Sequence, residues 1–245
     1  MIWGLTKSNV LNMSKVKLLK QPYACEFCSK SFSKERTLMA HLCEKKRRIM
    51  QESEKRVQIG FMVFNRFFKL SQGSRKDKTY VNFCENSCYN AFVKFGSFIN
   101  NINPLYPDKF IDYVIKSGVK LDHWCTDQLY EKYLYEMLKE EPVESAVQRA
   151  LQSMMEWADE NSSEFQDYFL NATTARITHD IANGKITPWI LLNTVSGQDA
   201  LRKMSSEQLE IIAPALDMNF WVNKFTKIPA DVALVREIAT EVGIK

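Results

Sequence analysis

Residues 23–48 read YACEFCSKSFSKERTLMAHLCEKKRR. Three metal-ligating side chains stand here at a suggestive spacing: Cys25, Cys28 and His41. No histidine follows His41 by three to five residues; Cys43 stands two residues on, and Glu44 three. On a continuing helix, positions i and i+4 share a face, whereas i and i+2 lie about 200° apart at 3.6 residues per turn. His41 and Cys43 therefore cannot both reach one ion from a regular helix. Either the helix unwinds at Leu42 and Cys43 swings back, or the fourth ligand is elsewhere, with Glu44 well directed but a poorer partner for a thiolate-rich site. Soft sulfur donors favour Cys43. The predicted metal set is Cys25, Cys28, His41 and Cys43, the predicted ion is Zn2+, and a break in the helix is expected near residues 42–44.

Tyr23, Phe32 and Leu38 complete the pattern with three apolar positions. It resembles the Cys-Cys-His-His zinc finger through the first three ligands and all three apolar positions, and departs from it at the fourth ligand. The resemblance implies a short β-hairpin carrying the cysteines, a helix carrying the histidine, and an apolar core too small to hold a fold without metal. Aligned on His41, the helix positions that face bases in that family fall on Lys34, Thr37 and Ala40. Lys34 can meet a guanine or a phosphate, Thr37 is ambivalent, and Ala40 offers at most a methyl contact. One finger covers about three base pairs. The chain has no second finger and no internal repeat. Sequence-specific DNA reading by this module alone is not expected; non-specific nucleic-acid contact, or use as a protein-docking clip, is.

Lys45, Lys46, Arg47 and Arg48 follow the finger directly. Such a run adds phosphate affinity without sequence information. Arg36, Lys30, Lys34 and the N-terminal Lys15, Lys17 and Lys20 can join it in space. The alternatives are a solvated helix face supported by a Glu52/Arg56 pair, or a contact for an acidic protein. The charge distribution supports a basic end on an acidic body. Residues 1–80 hold 18 Lys+Arg against 6 Asp+Glu, and residues 81–245 hold 15 against 23, within a net charge of +4. The expected nucleic-acid contacts are Lys34, Arg36, Thr37, Lys45, Lys46, Arg47 and Arg48.

The 245 residues are 45% hydrophobic, enough to bury a sizeable core. No apolar run is long enough for a transmembrane helix, and no secretory signal is read at the start, so a cytoplasmic location is expected. Met13 opens a plausible start of its own, which makes residues 1–12 a candidate upstream extension. With no export signal, the six cysteines are expected as metal ligands and free thiols rather than disulfides.

After the finger the pattern is helical. Val57, Phe61, Phe64, Phe67 and Phe68 recur at threes and fours, a core stripe rather than a base-stacking one. A polar loop at 71–79 closes this part. Further helices are predicted over 86–100, 108–117, a stretch around Leu129–Leu138, one opening at Pro142, and then 163–182, 188–194, 198–204, 206–213 with a Ser205–Gln208 capping box, and Pro229–Val242. The expected class is mainly α, a small N-terminal ββα zinc finger followed by a multi-helix domain. The expected organisation is a basic, flexible segment at 1–22, the finger with its basic extension at 23–48, a connecting helix and polar loop at 49–79, and a helical domain at 80–245.

His123 and His179 sit in no hydrolase, nuclease or kinase pattern, and no Gly-rich phosphate loop is present. Neither an enzyme nor a small-molecule substrate is expected. Cys84, Cys88, His123 and Cys125 form a candidate second zinc set if a helix puts the first two on one face; otherwise they are buried thiols and a core histidine. The runs YNAFVKFGSFINNINPLYPDKFIDYVIKSGVKLDHW and GKITPWILLN look similar to conserved uncharacterised proteins of tailed myovirus phages, which pair an N-terminal finger with a helical body. That resemblance implies synthesis in a bacterial host cytoplasm and work on phage or host nucleic acid, or on its machinery. The expected partners are nucleic acid, bound without sequence preference, and a protein engaged by the helical body.

Overall fold

The structure, a computed structural model, describes residues 23–73 and 75–245. The expectations for residues 1–22 lie outside it. Among the described residues there is one two-stranded antiparallel sheet and fifteen α-helices, so the fold is mainly α with a ββα unit at its start.

The hairpin pairs β1 (Tyr23–Ala24) with β2 (Ser31–Phe32), Tyr23 opposite Phe32. Two short helices follow, α1 (Glu35–Met39) and α2 (Glu44–Met50). Then α3 (Lys55–Gln72), ended by Gly73 at φ +63°, packs along α5 (Tyr89–Ile102). Two glycines permit this close crossing. A Cβ on Gly96 would collide with the Arg56 carbonyl oxygen and lie 2.7 Å from the Gly60 nitrogen; one on Gly60 would lie 2.9 Å from the Phe92 carbonyl oxygen.

Between them α4 (Tyr80–Glu85) opens on a Thr79–Asn82 capping box. The chain continues through α6 (Pro107–Lys116), a 3-10 turn at Leu121–His123, α7 (Asp127–Glu140) and α8 (Val143–Asn161). Phe64, Phe83, Phe92, Phe95, Phe110 and Trp124 form the aromatic centre of the main core, all at most 2% exposed. The phenylalanines of α3 thus face protein, as the period-3.6 stripe predicts. Arg66 on the outer face of α3 holds Asp112 with two guanidinium nitrogens and Asp108 at 3.0 Å, tying α3 to α6.

The expected 163–182 helix is divided into a 3-10 turn at Phe165–Asp167, α9 (Tyr168–Asn171) and α10 (Thr174–Ala182). Thr173 causes the break, because its side chain accepts from Arg176 N and caps a new helix. Next come α11 (Pro188–Asn193), α12 (Val195–Arg202) and α13 (Ser206–Ile212), the last with the expected Ser205–Gln208 capping box. α14 (Met218–Lys227), which the apolar pattern did not reveal, and α15 (Pro229–Glu241) complete the chain. They build a second, smaller core on α8 and α11 around Val147, Trp189, Trp221 and Val235. Lys224 lies 5.3 Å from the ring centres of both Trp189 and Trp221. Among the described residues no helix is long and apolar enough to cross a membrane.

Candidate metal centre

The hairpin turn sets the two cysteines. Cys25 N donates to Lys30 O at 2.9 Å and Ser29 N to Cys25 O at 2.8 Å, with Ser29 at φ +58° turning the chain. α1 ends after five residues, and His41, Leu42 and Cys43 are outside any helix. The expected break is present but comes earlier than residues 42–44: the helix ends at Met39 with Ala40 as its cap, so His41 is not carried by the helix as the resemblance implies. Cys43 takes an extended backbone at φ −75°, ψ 164°. That conformation returns its thiol to the hairpin and removes the 200° conflict of a continuous helix.

The ligand atoms of Cys25, Cys28, His41 and Cys43 all lie within 4.8 Å of one another. Cys25 Sγ and Cys43 Sγ are 3.9 Å apart, and Cys28 Sγ is 3.2 Å from His41 Nε2. A tetrahedron with metal–sulfur bonds of about 2.3 Å has sulfur–sulfur edges of about 3.8 Å. The four atoms thus fit around one ion with displacements of about 1 Å or less. Three sulfurs and an imidazole suit a borderline-soft ion, so the cluster can hold a metal of zinc's character.

The surroundings already favour a thiolate at one corner. Burial opposes ionisation of Cys25, but the backbone amides of Cys28 and Phe27 aim at its sulfur and leave the thiol below its ordinary value. Cys28 moves the other way. The Lys30 amide favours its thiolate, but desolvation and the neighbouring Cys25 and Cys43 sulfurs outweigh it. Crowded thiols that resist joint ionisation are what a divalent cation relieves.

The finger's apolar residues are sparse. Tyr23, Phe32 and Leu38 are all only half-buried, and Cys25 is the one fully buried residue of the unit. Phe32 packs on the His41 ring at 4.7 Å between centres. Met39 and Leu42 stay exposed beside the ligands, and Phe27 and Leu38 help line a small cleft there.

The proposed contact residues divide by environment. Lys34, Arg36, Thr37, Lys45 and Arg47 are exposed and Lys46 is half-buried. Lys45 meets Glu85 at 3.0 Å. Arg48 is turned inward, its side chain 12% exposed. It bonds Glu44 and donates to the Cys84 carbonyl at 2.6 Å and the Asn86 carbonyl at 3.4 Å. Its guanidinium also lies 4.4 Å from the Tyr89 ring centre. This seating, and the capping of α2 by Cys43 Sγ, were missed in the sequence. The Thr79-x-x-Asn82 box marks only the start of α4; no local signal announces the seat of Arg48 at its other end.

Cys84, Cys88, His123 and Cys125 are not brought together. Among the described residues the only group of three or more metal-ligating side chains close enough to share an ion is the finger cluster. Cys84 ends its days inside α4, buried, while Cys88 is the exposed cap of α5, because the helix breaks at Asn86 and Ser87. The i, i+4 spacing therefore does not put them on one face. His123 is exposed. No protein-family model, no curated protein and no solved structure matches this chain.

Proposed function

We propose that this chain is a zinc-finger accessory protein, phage-encoded as its resemblance to tailed-myovirus proteins implies, that holds Zn2+ at Cys25, Cys28, His41 and Cys43. In this reading it binds nucleic acid without sequence preference, and its helical body engages a protein partner. The observation that carries the reading is the four-ligand cluster next to a mostly exposed basic surface: Lys34 at the cap of α1, Arg36 and Thr37 on it, and Lys45, the half-buried Lys46 and Arg47 on α2. A single finger with these side chains offers phosphate contacts and little base readout. A bacterial host cytoplasm, where such a zinc-thiolate site survives, is the corresponding location.

A second reading is favoured by one observation. Met39, Leu42 and Met50 are 75%, 58% and 66% exposed around the finger, apolar area that phosphates do not use and a protein surface does. In that reading the finger and its basic run dock on an acidic host or phage protein. Fluorescence anisotropy of zinc-loaded chain with duplex DNA, single-stranded DNA and RNA over a range of salt separates the two. Binding that falls steeply with salt supports the first reading; no binding at low salt, with zinc retained, rejects it in favour of the second.

A further inference from the structure

The metal centre and the helical body share one short helix. α2 has seven residues, too few to persist in water on its own hydrogen bonds. Its start is held by Cys43, whose Sγ accepts from Lys46 N at 3.4 Å while standing 3.9 Å from Cys25 Sγ. Its end is held by the body. Arg48 donates to the carbonyls of Cys84 and Asn86, at and just beyond the last turn of α4, where a helix leaves acceptors without internal partners. The Tyr80 hydroxyl donates to the Arg48 carbonyl at 2.6 Å, and the Tyr89 ring lies against the guanidinium.

We infer that metal loading and the seating of α2 on α4 and α5 are one coupled equilibrium. A filled site fixes Cys43 as the cap of α2, α2 forms, and Arg48 seats on the end of α4. The loaded finger is then a rigid extension of the body, and metal loss releases it. The inference rests on the metal reading of Cys25, Cys28, His41 and Cys43. Coupling of this kind is reciprocal: metal strengthens the seating by the factor that seating strengthens the metal, and a variant that cannot seat Arg48 forfeits that factor in metal affinity. Arg48 supplies no ligand atom, which makes its effect on the metal diagnostic.

The test is a zinc titration of the full chain against a chromophoric chelator, with Arg48→Ala, Arg47→Ala and Tyr80→Phe beside the wild type. Arg47→Ala removes the same charge from the same turn without touching the seat. Arg48→Ala is expected to lose about five- to tenfold in zinc affinity, the low end for coupled sites, and Arg47→Ala to stay near wild type. Tyr80→Phe removes a single hydrogen bond and is expected to lose about threefold; it serves if Arg48→Ala does not fold. Stripping zinc from the wild type is expected to speed amide exchange in residues 44–50 and 80–89. Wild-type affinity in Arg48→Ala, or in Tyr80→Phe where Arg48→Ala does not fold, overturns the coupling and leaves the metal reading standing, as does unchanged exchange on stripping. A wild-type chain that takes up no zinc overturns both.

Discussion

Arg47 and Arg48 are neighbours in sequence with opposite surroundings, and replacing them one at a time separates the polyanion surface from the structural one. Each phosphate neutralised adds about 0.9 to the magnitude of the log K against log salt slope on duplex DNA, and about 0.7 on single strands. Arg47 is exposed. Arg48 is 12% exposed and engages two carbonyls, a carboxylate and an aromatic face. At saturating zinc, Arg47→Ala is expected to flatten the slope by about 0.9 on duplex DNA, and Arg48→Ala to leave it unchanged. Lys45 is paired with Glu85, but both side chains are about half exposed. Such a pair holds by roughly 1 kcal/mol or less and yields to phosphate, so Lys45→Ala should resemble Arg47→Ala. Anisotropy at four or more salt concentrations reads each slope. A drop in Arg48→Ala as large as that in Arg47→Ala would show that Arg48 reaches phosphate, and would refute the division drawn from the geometry.

Cys43→Ala should lower zinc affinity by roughly 10²–10³-fold, since structural zinc sites bind with about 10–16 kcal/mol shared over four ligands; unchanged affinity in a competition titration would remove Cys43 from the ligand set. Gly96→Ala should destabilise the chain by about 1–3 kcal/mol or more, because the new methyl has only the backbone of α3 to push against. Chemical denaturation checks it, and a change under about 0.5 kcal/mol would mean α3 and α5 can separate freely. Hydrogen bonds from Arg66 hold the Asp112 carboxyl below its ordinary value, so its contribution to stability is present above an unfolded pKa of about 3.9 and is lost as pH falls through the lower folded value. Asp112→Asn should therefore cost stability near neutrality and flatten the acid-side fall; identical stability profiles against pH in the two proteins would rule this out.

The helical class and the metal cluster were legible because each rests on local rules. The phenylalanine stripe of α3 and the Ser205–Gln208 box need only helical periodicity and one cap. The break before Cys43 followed from angular arithmetic on His41 and Cys43. What the sequence hid depends on chain segments far apart. The inward turn of Arg48 requires the carbonyls of Cys84 and Asn86, which are 36 and 38 residues away. The failure of Cys84 and Cys88 to share a face followed from a helix end at Asn86 that their spacing does not announce. α14 is not evident although Asp217 caps it, because its apolar residues divide between the small core around Trp221 and exposed Met218 and Val222.

The most direct measurement on the metal centre is zinc-edge X-ray absorption on the full chain, with metal content determined on the same sample. The expected result is one zinc per chain with three sulfur neighbours at about 2.3 Å and one nitrogen at about 2.0–2.1 Å. A shell with two sulfurs and an oxygen or second nitrogen would take Cys43 out of the site, and a chain that retains no zinc would contradict the metal centre itself.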